Sequence, residues 1–104
     1  MNNFKILKNG KKTKDYLLVI PVINEGSNII NLVSRIKKLQ MDKKVNVLIV
    51  DGGSKDGSIE KLINESGINF IFQNHGNRKV SEQLQIGYKF AIVHSPFYFH
   101  GFER

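Results

Sequence analysis

The sequence predicts an α/β domain on a parallel, doubly wound sheet, in the order β-α-β-α-β-α. Three observations carry this expectation. The runs at 16–20, 45–50 and 68–72 have strand length, and 45–50 is apolar at nearly every residue, as in a strand covered on both faces. After each run, apolar residues recur at three- and four-residue steps, the period of a helix with one buried face. Strand and helix patterns then alternate along the chain, which favours parallel strands joined by helical crossovers.

Residues 1–15 are polar and lysine-rich and read as a basic arm or a lead-in strand. Tyr16 to Ile20 is the first core strand, closed by Pro21. A helix follows from about Ser27 to Gln40, with Ile29, Ile30, Val33, Ile36 and Leu39 on one face. Ser27 or Asn24 can cap its start, and Glu25 suits the positive end of its dipole. "MDKK" is a polar turn, Val45 to Val50 the second strand, and 51–56 a loop with two glycines. Ile59, Leu62 and Ile63 predict a short second helix that ends near Gly67. Ile68 to Phe72 is the third strand and 73–78 a polar loop. Val80, Leu84, Tyr88 and Ala91 share one face of a third helix, stopped by Ser95-Pro96. The tail "PFYFHGFER" holds four aromatics in nine residues and shows neither a helix nor a turn pattern. The chain thus divides into an arm at 1–15, a ligand-binding part at 16–94 and a divergent aromatic tail at 95–104.

A chain of 104 residues with 40% hydrophobic content suits one small globular domain with a modest core. It has no cysteine, which excludes disulfides, thiol nucleophiles and cysteine zinc sites. The longest apolar runs reach about seven residues, far below the roughly twenty that cross a bilayer. The N-terminus carries no apolar segment of signal-peptide length, so a cytoplasmic protein is expected. The net charge is +7, and Lys5, Lys8, Lys11, Lys12 and Lys14 supply part of it near the start. Such a cluster is either a solvated arm or a surface for nucleic acid, an anionic membrane or a phosphorylated ligand. No arginine-rich run interleaved with aromatics accompanies it, so no specific nucleic acid is expected.

Polar residues stand where the strands end. In open parallel sheets ligands sit beyond the carboxyl ends of the strands, where helix N-termini also point. Asn24 and Glu25 follow the first core strand and Asp51 follows the second. Neighbouring strands would bring them to one crevice. "PVINEG" lacks a dinucleotide fingerprint, and Gly52 and Gly57 have phosphate-loop spacing but lead into Ser58-Ile59 instead of lysine and a hydroxyl residue. "DGGSKDG" also reads as a plain turn in which Asp51 or Ser54 caps the next helix. His75, His94 and His100 have no metal-binding spacing and read as satisfied or exposed side chains. No G-x-S-x-G nucleophile motif is present.

"VIPVINEGSNI" followed by "VLIVDGGSKDGS" resembles the N-terminal, donor-binding half of family 2 glycosyltransferases, which have the Rossmann-like GT-A fold. "RKVSEQLQIGYKFAI" is similar to the basic segment of the dolichyl- or polyprenyl-phosphate sugar synthase branch. The resemblance covers about residues 16–93. It implies transfer of a sugar from a nucleotide-diphosphate donor, with a polyprenyl-phosphate acceptor at the membrane surface. Pro21 and Glu25 would border the nucleoside, Glu25 as acceptor of hydrogen bonds from base or ribose. Asp51 would hold the base or ribose, and Lys79 would stand near the diphosphate. Asn24, Gly52, Gly53 and Ser54 complete the nucleotide-binding set.

This chain departs from that pattern. Gly52 stands where many members have a second aspartate, Gln85 where arginine is usual, and Arg78 where glycine precedes Lys79. After Ala91 the only acid is Glu103. The family's aspartate-rich metal motif and catalytic base therefore have no counterpart. The full-length family implies Mg²⁺ or Mn²⁺, whereas this chain is expected to bind no cofactor, to supply no catalytic residue and to be truncated before the catalytic centre. A half-domain is also expected to self-associate through an exposed sheet edge. Two other readings stand beside this one: a non-enzymatic nucleotide-binding module, and a basic interaction protein for nucleic acid or anionic membrane.

Overall fold

The computed structural model describes residues 4–74, 83, 85, 89 and 98–101. Its frame is one five-stranded sheet. Among the described residues the strands are β1 (Phe4–Asn9), β2 (Tyr16–Val22), β3 (Asn46–Asp51), β4 (Phe70–Asn74) and β5 (Tyr98–Gly101), and α1 (Ser27–Lys38) is the α-helix described in full. Across the sheet the order is β1-β4-β3-β2-β5. β2 through β5 run parallel, and β1 lies antiparallel to β4. The α/β half-domain expected from sequence is the fold observed.

β2, β3 and β4 are interior because their side chains are apolar on both faces. Leu18, Ile20 and Val22 alternate with Leu17 and Val19 along β2, as the two-residue period of a strand requires. The first set packs with Ile29, Val33 and Ile36 of α1, with Val47 and Ile49, and with Ile59, Leu62 and Ile68. The second packs on the other face with Leu48, Val50, Phe70 and Phe72. Each such side chain contributes about 1.5–3 kcal/mol when fully buried.

Several sequence expectations change in detail. Pro21 does not close its strand, which runs on to Val22. Val22 O accepts the Gly52 N–H at 2.7 Å, so alternation turns Pro21 away from β3. On that other side the described pairing with β5 runs from Tyr16 to Val19. The second helix is a single 3-10 turn, Glu60–Leu62. The positive φ of 81° at Gly57 and the turn that bonds Ile68 N to Glu65 O leave no length for α-helical turns. Neither Ser27 nor Asn24 caps α1, whose N-cap is Gly26 at φ 57° with no side-chain cap bond. The arm contains a real strand, β1. The tail contributes β5, parallel to β2 on the side opposite β3. Four residues are too few to show a period, and only pairing with β2 reveals them as a strand. The predicted third helix lies outside the described residues except for Gln83, Gln85 and Lys89, which are helical.

Candidate functional site

β2 and β3 end side by side, with Val22 opposite Asp51. The two loops that leave them are bolted together by motif residues. Asn24 N donates to Ser54 Oγ at 2.7 Å, and Lys55 N donates to Asn24 Oδ1 at 2.8 Å. Gly26 N donates to Asp56 Oδ2 at 3.0 Å. Asn24 reaches this geometry at φ 46°, a left-handed conformation that asparagine tolerates better than most residues. Each bond is worth about 1 kcal/mol net. Together they set the entry to α1 against the loop after β3.

Asp51 is 0% exposed. A buried carboxylate is costly unless donors surround it. Here Oδ2 accepts Ser54 N at 2.9 Å and Gln73 Nε2 at 2.8 Å, and Oδ1 accepts a short bond from Ser54 Oγ. Ser54 thus relays between Asn24 and Asp51. Asp56 is exposed and its carboxyl is held below the ordinary aspartate value, chiefly by the Ser58 hydroxyl and then by the Ser58 N–H, with burial opposing and Gly26 N–H adding to the effect.

Two glutamines complete this end of the sheet, and sequence reading assigned neither to the site. Gln73 lies opposite Asp51 in the β3–β4 register. Gln83 is fully buried, and its Nε2 donates to Val22 O at 3.0 Å and Val50 O at 2.7 Å. It clips the two strand ends. A Cβ placed on Gly52 would lie 3.3 Å from the Gln83 amide, so Gln83 occupies the space that a second aspartate would enter. Among the described residues, the buried side-chain atoms without a hydrogen-bond partner are Gln83 Oε1 and Asn74 Nδ2. Both stand at the carboxyl end of the sheet. The available signal for Gln73 and Asn74 was a pair of polar side chains at a strand's carboxyl end, as for Asn24 and Glu25.

The other expected site residues are distributed as follows. Pro21 and Gly52 are buried, Gly53 and Ser54 half-buried, Asn24 exposed and Glu25 half-buried on the same loop as Asn24. Asn24, Asp51 and Ser54 form one bonded cluster. Lys79 lies outside the described residues. Among the described residues no group of three acids, histidines or cysteines is placed to hold a metal.

The glycosyl transferase family 2 model matches residues 17–92. The chain belongs to glycosyl transferase family 2. The match spans β2 from Leu17, β3, β4, the interlocked loops and the segment around Gln83. An uncharacterized protein of Methanocaldococcus jannaschii, MJ0544, is 30% identical over 80 residues. That alignment covers 73% of this chain and 33% of the relative, so the chain spans about a third of the length of the curated relative it matches. No solved structure matches. Within family 2, this member carries glycine at position 52, where a Cβ would lie 3.3 Å from the Gln83 amide and the clip would have to give by a few tenths of an ångström.

Proposed function

We propose that this family 2 domain binds the nucleotide-diphosphate end of an activated sugar at the carboxyl ends of β2 and β3, as the donor half of a glycosyltransferase. The observation that carries the reading is the adjacent ends of two parallel strands, whose loops are held rigid by Asn24, Ser54 and Asp56. A preorganised crevice binds without a further ordering cost. The unpartnered Asn74 Nδ2 and Gln83 Oε1 at the same end add a donor and an acceptor that a polar ligand or water would satisfy.

In this reading Glu25 accepts hydrogen bonds from base or ribose. Asp51 is a positioning residue, since it meets the ligand through Ser54 and not through a surface of its own. Lys79 offsets diphosphate charge. The finer assignment, a polyprenyl-phosphate acceptor, rests on the resemblance of "RKVSEQLQIGYKFAI" alone. Sugar transfer from that donor is the activity this reading assigns to the whole protein.

Titration calorimetry with UDP, GDP and the bare nucleosides tests the donor site. Glu25→Gln should weaken nucleoside and nucleoside diphosphate alike. Lys79→Ala should weaken only the diphosphates, by about tenfold for one charge-assisted contact. Absence of any nucleotide binding by the folded chain would overturn the proposal, and equal losses in Lys79→Ala would remove the phosphate role of that lysine.

A further inference from the structure

The amino-terminal end of the sheet, opposite the crevice, carries a turn with the sequence "KKLQMDKK", residues 37–44. α1 stops at Lys38 with Leu39 as its C-cap, Gln40 takes a left-handed φ of 60°, and Met41–Lys43 makes one 3-10 turn into β3. This path lifts two apolar side chains into solvent. Leu39 is 63% exposed and Met41 38%. Lysine pairs flank them on both sides. Lys37 is drawn to Glu65 at 2.6 Å, while Lys38, Lys43 and Lys44 are exposed around the turn.

A second basic loop is fastened beside the first. Asn46, the residue that opens β3, accepts the N–H groups of Thr13 and Lys14 on Oδ1, both at 3.0 Å. Its Nδ2 donates to Thr13 Oγ1 at 3.0 Å. Lys11 and Lys14 thereby join the same end of the sheet. The nearby acids offset little of this charge. Asp15 pairs with Lys12 at 3.4 Å, and Asp42 is half-buried beside Gly67.

We propose that this end of the sheet docks on an anionic bilayer surface, with Leu39 and Met41 entering the headgroup layer and Lys11, Lys38, Lys43 and Lys44 lying over anionic lipid. Lysines alone would suit any polyanion. Aliphatic side chains raised between lysine pairs suit a surface with an apolar layer beneath its charge, which a nucleic-acid backbone lacks. Docking here turns the carboxyl ends of β2 and β3 away from the bilayer, so it would set the proposed nucleotide site at odds with a polyprenyl-phosphate acceptor held in the same membrane.

Co-sedimentation of the 104-residue chain with phosphatidylcholine vesicles, with and without phosphatidylserine, tests this directly. Binding should require the anionic lipid and fall steeply with salt. Lys43→Gln with Lys44→Gln should weaken it by about thirtyfold, the change that two lysines at an anionic surface account for. Leu39→Ser with Met41→Ser should weaken vesicle binding by about tenfold or more and leave binding to duplex DNA unchanged. These side chains are exposed, so circular dichroism of both variants should match the parent. Vesicle binding that ignores phosphatidylserine overturns the proposal. So does a serine pair without effect, and retention on DNA in that case would assign the surface to nucleic acid.

Discussion

Asp51 shows how one side chain can look like a ligand contact in sequence and serve as a keystone in the fold. It is an acid at a strand end, and three donors from Ser54 and Gln73 enclose it. The Gly52–Gln83 contact is the tighter constraint. A methyl at position 52 would press on the amide that bridges Val22 O and Val50 O. Gly52→Ala should therefore cost about 1 kcal/mol or more of stability. Gln83→Ala should also destabilise, since it removes that bridge. The two losses should not add, because the smaller side chain at 83 makes room for the new methyl. Urea unfolding of the double-mutant cycle would show a coupling of at least about 0.5 kcal/mol. Strict additivity would mean that the amide and Gly52 do not share that space.

At the scale of elements, the start of α1 is set by its neighbour loop and not by a cap of its own. Gly26 N finds its acceptor on Asp56, in the loop after β3. Asp56 is titratable, which gives the joint a pH dependence. Its folded-state carboxyl lies below the ordinary value of 3.8, chiefly through the Ser58 hydroxyl. A depressed carboxyl contributes stability above its unfolded value and loses it as pH falls through the folded one. Amide exchange at Gly26 and Ser58 should accelerate as pH drops below that ordinary value, beyond the intrinsic trend. In Asp56→Asn the extra acid sensitivity should vanish. An unchanged acid profile in that variant would place the sensitivity elsewhere. The same reasoning explains why the second helix shortened. Its apolar residues are buried as the period required, but Gly57 and the turn at Glu65 bound it too closely for α-helical turns.

For the whole molecule, β1 decides which strand is interior. It covers β4, with Phe4 stacked on Phe72 at a centroid distance of 5.2 Å. Phe70, Ile71 and Phe72 are consequently buried. Lys8 anchors the arm from the other end, its Nζ donating to Glu65 O at 2.7 Å. Burial lowers the Lys8 ammonium pKa and the Glu65 charge opposes it. The β1 edge carries Lys5 and Lys8 and an irregularity between Ile6 and Lys8, features that discourage strand addition. Removing residues 1–9 should strip this protection and bare the β4 ladder. Sedimentation velocity should then show stronger self-association than for the intact chain at the same concentration. Equal behaviour of the two forms would mean that β1 does not guard the edge.

By itself the sequence determined the α/β class, the three core strands, α1 and the polar character of the strand ends. Those follow from local period and from which residue types tolerate burial, and both are properties of short windows. It also showed the family motifs, because "VINEG" and "DGGSKDG" are contiguous. Tertiary structure alone decided the rest. The roles of Gln73 and Gln83 depend on partners 22, 33 and 61 residues away in the chain. A buried amide has no local signature that distinguishes it from a solvated one. β1 and β5 likewise exist as strands only through the ladders they join, since an edge strand borrows its hydrogen bonds from a neighbour. The basic, apolar-tipped end of the sheet arose in the same way. Asn46 draws loop 10–15 beside the turn at 37–44, and no reading of either segment alone would have joined them.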